Sequence, residues 1–291
     1  MSSATLDQER LRTWPFRDVR VTYTEKDTIL YALSIGLGAD PTDAAQLPYV
    51  YERDLIAFPT MLTTLGMYQD DQFITDPGVG IDLSQMLHTE MALTIHRPFP
   101  ATGEVHSRIS IDRLIDRGEG RGAILDFSRQ MRSASGELIA TESGSFFLRG
   151  NGGFGGSNGE RPRLPAVPDR PADRTAEIDT SRSAALLFRL IGDRNPIHVD
   201  PEVARRGGFP APILHGGCTF GVAVHGVVRS LLNYQTERLR HVGARFSAPV
   251  LPGDTLMIEV WDHGDGRAAF RASVPAREMV VVDNGVVVLD Q

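Results

Sequence analysis

The sequence predicts an α+β fold in which two antiparallel sheets each wrap around a long central helix. Three observations predict it. The same order of elements occurs twice along the 291 residues: a capped helix, a more apolar helix, then four extended runs. A glycine- and proline-rich stretch separates the two series. One helix, at about 217–232, is apolar nearly all round and must be enclosed by whatever packs on it.

The elements follow in chain order. Residues 14–25 lead in as an extended segment. Thr24 caps a helix through about Leu37, with Ile29, Leu30, Leu33 and Leu37 at helical spacing and Gly36 and Gly38 closing it. Residues 56–68 predict a second apolar helix with Pro59 in its first turn. Beyond the turn at Asp76-Pro77-Gly78, extended runs are expected at His88–Arg97, Glu104–Asp116, Arg121–Arg132 and Leu138–Leu148, broken by Pro98, Gly103, Gly118, Gly120 and Gly136. Residues 149–171 turn to glycine, asparagine and proline and read as a linker.

The second series opens with a short strand at Asp173–Asp179 and a helix capped at Thr180 or Ser181 that runs to Ile191. The long apolar helix then runs from Gly217 to Leu232, with Cys218, Phe220, Val222, Val224, Val227 and Leu231 among its apolar residues. Gly217, Gly221 and Gly226 each lower helix propensity by about 1 kcal/mol, a cost that makes sense where a sheet or ligand approaches the backbone closely. Extended runs at Arg238–Ala248, Asp254–His263, Arg267–Pro275 and Met279–Leu289 close the chain. The expected organisation is a first half at 1–148, the linker at 149–171, and a second half at 172–291.

Composition removes several function classes. The net charge is −7 with both signs interspersed, so no basic stripe offers a nucleic-acid face. Cys218 is the one cysteine, which excludes an intrachain disulfide and a cysteine-built metal site, and its apolar surroundings make it a buried thiol. Lys26 is the one lysine and sits at a polar helix start, so a Walker-A lysine is absent. Gly150-Asn151-Gly152-Gly153-Phe154-Gly155 fits a dinucleotide fingerprint by letter, but Gly156, Ser157, Asn158, Gly159 and Pro162 forbid the helix that must follow. No apolar run reaches membrane-spanning length, and Val-Leu-Asp-Gln at the C-terminus is no peroxisomal address. A soluble cytoplasmic protein is expected.

Chemistry concentrates in Gly192-Asp193-Arg194-Asn195-Pro196-Ile197-His198 and in His215-Gly216-Gly217. Pro196 fixes its own φ and pushes Asn195 out of helical geometry, so Asp193 and His198 flank a bend and can converge. Such a pair handles the protons of a water molecule, although a buried structural pair uses the same residue types. Gly216 opens the buried helix, and its N–H is one of the unpaired N-terminal donors that suit a carbonyl oxygen gaining charge. His215 can be a ligand, a base or a packed structural residue. Asp200-Pro201-Glu202 reads as an N-cap and helix start. No His-x-x-x-His pairing exists, so no metal is expected.

The stretch from Gly192 to Asp200, with Pro212-Ile213-Leu214-His215-Gly216 and Thr219-Phe220-Gly221, resembles the MaoC-type, (R)-specific enoyl-CoA hydratase 2 family. The resemblance continues into the first half at Tyr31-Ala32-Leu33 with Gly36, at Tyr51-Glu52 and at Phe58-Pro59-Thr60, and into the linker at Gly152 to Gly156. It implies a double-hotdog fold that converts trans-2-enoyl-CoA to (3R)-3-hydroxyacyl-CoA without metal or redox cofactor, as a homodimer. Carried over, Asp193 and His198 position and deprotonate the water and deliver the α-proton. Asn195 supports them, the Gly216 N–H polarises the thioester carbonyl, and Glu52 assists from across the interface between the halves. His215 and Gly217 stand with the substrate contacts, and Arg194, Arg205, Arg206 and Arg245 are candidates for the coenzyme A phosphates. The first half lacks the Asp-x-Asn-Pro-x-His motif, so it shapes an acyl-tail tunnel and each chain has one active site. Ile191 and Arg194 depart from the family pattern and bear on substrate preference. The alternatives are a hotdog thioesterase and a non-catalytic acyl-CoA-binding subunit.

Overall fold

Side-chain alternation along the extended runs decides the architecture. In the strand Ala123–Ser133, for example, every second residue from Ala123 to Met131 is buried, which gives the sheet one face to cover and one to leave wet. The structure, a computed structural model, describes residues 6–67, 72–155, 161 and 164–290. Its helices are α1 (Gln8–Arg12), α2 (Glu25–Ser34), α3 (Leu47–Val50), α4 (Gln72–Thr75), α5 (Ala184–Phe188), α6 (Pro201–Arg206) and α7 (Gly216–Val227). Its strands are β1 (Val19–Tyr23), β2 (Met86–Ile95), β3 (Gly103–Asp116), β4 (Ala123–Ser133), β5 (Leu138–Leu148), β6 (Arg174–Asp179), β7 (Leu239–Phe246), β8 (Thr255–Asp262), β9 (Arg267–Val274) and β10 (Met279–Leu289).

These strands form one antiparallel sheet in the order β1-β3-β4-β5-β2-β7-β10-β9-β8-β6. The two expected sheets are therefore continuous. They join where β2 pairs β7, with Glu90 opposite Arg245 and Thr94 opposite His241. The α+β class holds, and so does a sheet wrapped on helices. No described helix is long and apolar enough to cross a membrane.

The second half has the expected central helix. In α7, Gly217 through Val227 are all buried, and each large apolar side chain so covered contributes roughly 1.5–3 kcal/mol. The sheet approaches closely at Gly226, where an added Cβ would lie 2.7 Å from Ile258 Cδ1. The helix passes into a single wide turn, Val228–Leu232, and ends at Asn233 in left-handed geometry (φ 46°).

The first half departs from expectation. Over residues 56–67 the chain forms a tight 3-10 turn, Pro59–Thr63, and no α-helix, and Tyr68 lies outside the described residues. The side chains explain the difference. Thr63 and Thr64 donate their hydroxyls back to the carbonyls of Thr60 and Met61 at 2.8 and 2.7 Å, which competes with helical pairing. The guanidinium of Arg129, completely buried, donates to the carbonyls of Leu62 and Leu65 and to Glu142. It supplies from the sheet the donors that a helix would have supplied from its own backbone.

Part of the glycine-rich linker is fixed. Gly153 and Gly155 donate backbone N–H groups to Asp116 at 2.8 and 2.7 Å, and Arg161 pairs with Glu90 and Asp126 at 2.9 Å each. Residues 156–160, 162 and 163, which complete the run that excluded a dinucleotide helix, lie outside the described residues.

Candidate active site

The motif between α5 and α6 is shaped residue by residue. Gly192, at φ 156°, turns the chain out of the short 3-10 turn Arg189–Ile191. Asn195 adopts the extended ψ of 121° that precedes proline and accepts the N–H of Ile197 on its side-chain oxygen at 3.1 Å. Its own backbone N–H donates to Asp193 Oδ1 at 3.0 Å. The support that Asn195 gives is thus backbone to carboxylate, while its carboxamide caps the turn. Asp200 accepts the N–H groups of Glu202 and Val203 and caps α6, as its position predicts.

Asp193 and His198 converge. His198 Nε2 stands 3.9 Å from Asp193 Oδ2, and both side chains are nearly buried. That gap is too wide for a direct hydrogen bond and suits a water-sized group held by both. His198 Nδ1 donates to the Ile213 carbonyl at 2.9 Å, which leaves the Nε2 lone pair turned to Asp193. Burial holds the His198 pKa below its ordinary value, against the opposing pull of the Asp193 carboxylate and the Ile213 carbonyl. The imidazole is therefore neutral at neutral pH, with Nε2 able to accept a proton.

His215 lies behind this pair and is completely buried. Its ring stacks on His198, with centroids 3.8 Å apart, and its Nε2 donates to the Asp193 carbonyl at 3.2 Å. Gly216 follows directly as the first residue of α7 and is the one residue of that helix not buried. A Cβ there would meet His88 Cβ and the Phe246 ring at 3.8 Å, so those two side chains bound the space in front of the helix start. Asp193, His198, His215 and Gly216 thus form one contiguous group.

Of the substrate-contact candidates, His215 belongs to this group but presents no exposed surface. Gly217 is a packing position, since a Cβ there would press on Phe188 at 3.2 Å. Arg245 is exposed on the sheet face opposite its neighbour Phe246, which points away from the helix start. Arg205 and Arg206 are exposed on α6. Glu52 is exposed in a turn after α3 and faces a surface groove with Glu25, Lys26, Ile29, Leu30 and Leu33, none of which belongs to the Asp193 group. Arg194, with Ile191 and Gly192, lines a cavity of about 280 Å³ whose other wall is Val21, Thr64, Leu65 and Gly66 from the first half.

Sequence reasoning missed His88. It sits on β2 against Phe127, Phe146 and Phe246, and its Nε2 is buried without a hydrogen-bond partner among the described residues. Burial lowers its pKa to about 4. The sequence signal was a lone histidine directly after the apolar pair Met86-Leu87 at a strand start.

Asp193, His198 and His215 also form a group whose ligand atoms lie within 4.8 Å of one another. A shared ion would have to lie near both imidazole planes. The two rings lie face to face, 30° apart in plane, and offer no such point close by.

This fold defines a double-hotdog protein, an architecture also found among the solved structures it resembles, with Asp193 and His198 brought together near the start of its central helix. A family profile for the MaoC like domain matches residues 163–284, and one for the MFE-2 hydratase 2 N-terminal domain matches residues 21–150. The chain is 37% identical to the 3-hydroxyacyl-thioester dehydratase Y of Mycobacterium tuberculosis, covering 91% of this chain and 92% of that one. It is 34% identical to the peroxisomal enoyl-CoA hydratase 2 of Arabidopsis thaliana, covering 97% and 95%. A crystal structure of a MaoC-like dehydratase from Phytophthora capsici superposes with a TM-score of 0.84 at 29% identity, covering 98% and 99%. The chain belongs to the MaoC-like, enoyl-CoA hydratase 2 family and is a hydro-lyase.

Proposed function

We propose that the chain hydrates trans-2-enoyl-CoA thioesters reversibly to (3R)-3-hydroxyacyl-CoA, with Asp193 and His198 as the acid/base pair and without a metal or redox cofactor. One relative is named for hydrating an enoyl-CoA and another for dehydrating a 3-hydroxyacyl thioester, the two directions of one equilibrium. The observation that carries the reading is the 3.9 Å gap between His198 Nε2 and Asp193 Oδ2, near a helix start that no described side chain caps.

A water held across that gap gives a proton to His198 as its oxygen bonds to C3. The π pair moves toward C2, and negative charge gathers on the thioester oxygen. The Gly216 N–H and the positive end of α7 stabilise it. The pair then returns a proton to C2 on the same face, so one O–H bond is exchanged for one C–H bond. Because His198 spends Nδ1–H on a carbonyl and keeps Nε2 free, its tautomer is already the one that accepts a proton. We assign the acyl chain to the first-half side of the cavity beside Arg194, where Val21 and Leu65 face Ile191.

The test uses crotonyl-CoA and a long-chain enoyl-CoA. Loss of enoyl absorbance with (3R) product and no free thiol is expected. Release of free CoA would assign a thioesterase, and (3S) product would contradict the facial assignment.

A further inference from the structure

His215 takes no part in the chemistry just described, yet it is the most constrained side chain of the group. It is completely buried, so no substrate touches it. One face stacks on His198 at 3.8 Å, and Phe188 lies 4.9 Å away from ring centre to ring centre. Its Nε2–H is committed to the main-chain carbonyl of Asp193 at 3.2 Å. Its own residue is the N-cap of α7, immediately before the Gly216 N–H. A single imidazole therefore touches the base by its ring, the acid by its backbone, and the oxyanion donor through one peptide bond.

We infer that His215 is a positioning residue: a buried, stacked imidazole that fixes Asp193, His198 and the Gly216 N–H relative to one another. The inference rests on the reading of Asp193 and His198 as the acid/base pair. A neutral ring is required by the geometry, because a cation stacked on His198 would oppose the proton that His198 has to accept. The charged and titratable groups around it are His198, Asp193 and Arg189. Burial first, then His198 and the Arg189 guanidinium, hold its pKa down to about 2, against the Asp193 carbonyl that its N–H meets. With Nε2 protonated, Nδ1 is the bare nitrogen, and it is buried without a partner among the described residues, as is Arg189 Nε.

Two substitutions separate the ring from its N–H. His215→Phe keeps a flat ring against His198 and removes the donor to Asp193. His215→Gln keeps an N–H at similar reach and removes the stacked ring. Each variant, folded by circular dichroism, is expected to lose about tenfold or more in kcat with KM changed by less than about threefold, since binding groups are untouched. In His215→Gln the acid limb of the kcat–pH profile moves up, because solvent reaches the exposed face of His198; in His215→Phe it stays. A purely structural role would lower the melting temperature and leave kcat and the limb unchanged at low temperature, and that result overturns the inference. Should both variants fail to fold, ¹⁵N-detected histidine spectra of the wild-type chain decide. His215 is expected neutral with Nε2 protonated over roughly pH 5 to 9, and a cation or the Nδ1–H tautomer in that range overturns it. Full activity in Asp193→Asn or His198→Ala would instead sink the acid/base reading itself.

Discussion

A methyl group added near either end of α7 separates two duties that its glycines perform. At Gly226 an alanine Cβ would lie 2.7 Å from Ile258 Cδ1 and Cγ1 and 3.0 Å from its Cβ, and Ile258 is completely buried. Overpacking of this kind costs about 1–3 kcal/mol, while the gain in helix propensity returns about 1 kcal/mol. The net expectation for Gly226→Ala is a loss of about 1 kcal/mol, with kcat of the folded enzyme near wild type. At Gly216 the same methyl meets His88 and Phe246 at an ordinary 3.8 Å, so Gly216→Ala costs no stability. It does fill the space directly before the amide proposed to hold the thioester oxygen, and a fall in kcat/KM of about tenfold, equivalent to about 1.4 kcal/mol, is expected. Urea unfolding and steady-state hydration of crotonyl-CoA, run on both variants, give the four numbers. Wild-type kcat/KM in Gly216→Ala, or a Gly226→Ala as stable as wild type, would refute the reasoning.

Acid lability is a second expectation. His225 is almost wholly buried on α7, donates Nδ1–H to the Ile35 carbonyl at 3.1 Å and accepts the Tyr234 hydroxyl at 3.2 Å, and burial lowers its pKa to about 4. A histidine whose folded pKa is depressed contributes stability above its unfolded pKa and loses it as pH falls, so about pH 6.5 down to about 4 is the window, worth on the order of 3 kcal/mol for His225. Urea midpoints at pH 7 and pH 4.5 measure it, and an equal slope in His225→Gln would contradict the assignment. Arg129→Met leaves the Glu142 carboxylate buried and unpaired and frees the Leu62 and Leu65 carbonyls; a loss of about 3–5 kcal/mol is expected by denaturant unfolding. Arg129→Met/Glu142→Leu recovers only part of it, because the two carbonyls stay unpaired.

What the sequence disclosed follows from where its information is local. Strand ends were legible at Gly103, Gly136 and Pro98 because glycine permits and proline fixes particular backbone angles whatever packs on them. The Asp200 cap and the Asn195-Pro196 bend were legible for the same reason, and the bend brought Asp193 and His198 together as expected. The loss of the first-half helix was not legible, since it depends on Arg129 reaching Leu62 and Leu65 from a strand far along the chain. His88 was missed because its place in front of the helix start appears only once β2 lies beside Phe246. Arg245 was legible in principle: alternation with Phe246 places the two on opposite faces. Glu52 was placed by resemblance alone, and its surroundings in the structure are the exposed flank of α2.

Hydration as proposed requires Asp193 and His198 to share one water molecule. Hydration of crotonyl-CoA by purified Asp193→Asn and His198→Ala, with thermal unfolding of each, tests that most directly. Each variant is expected to melt close to wild type and to lose at least about 100-fold in kcat. A folded variant of either kind that hydrates at the wild-type rate would contradict it.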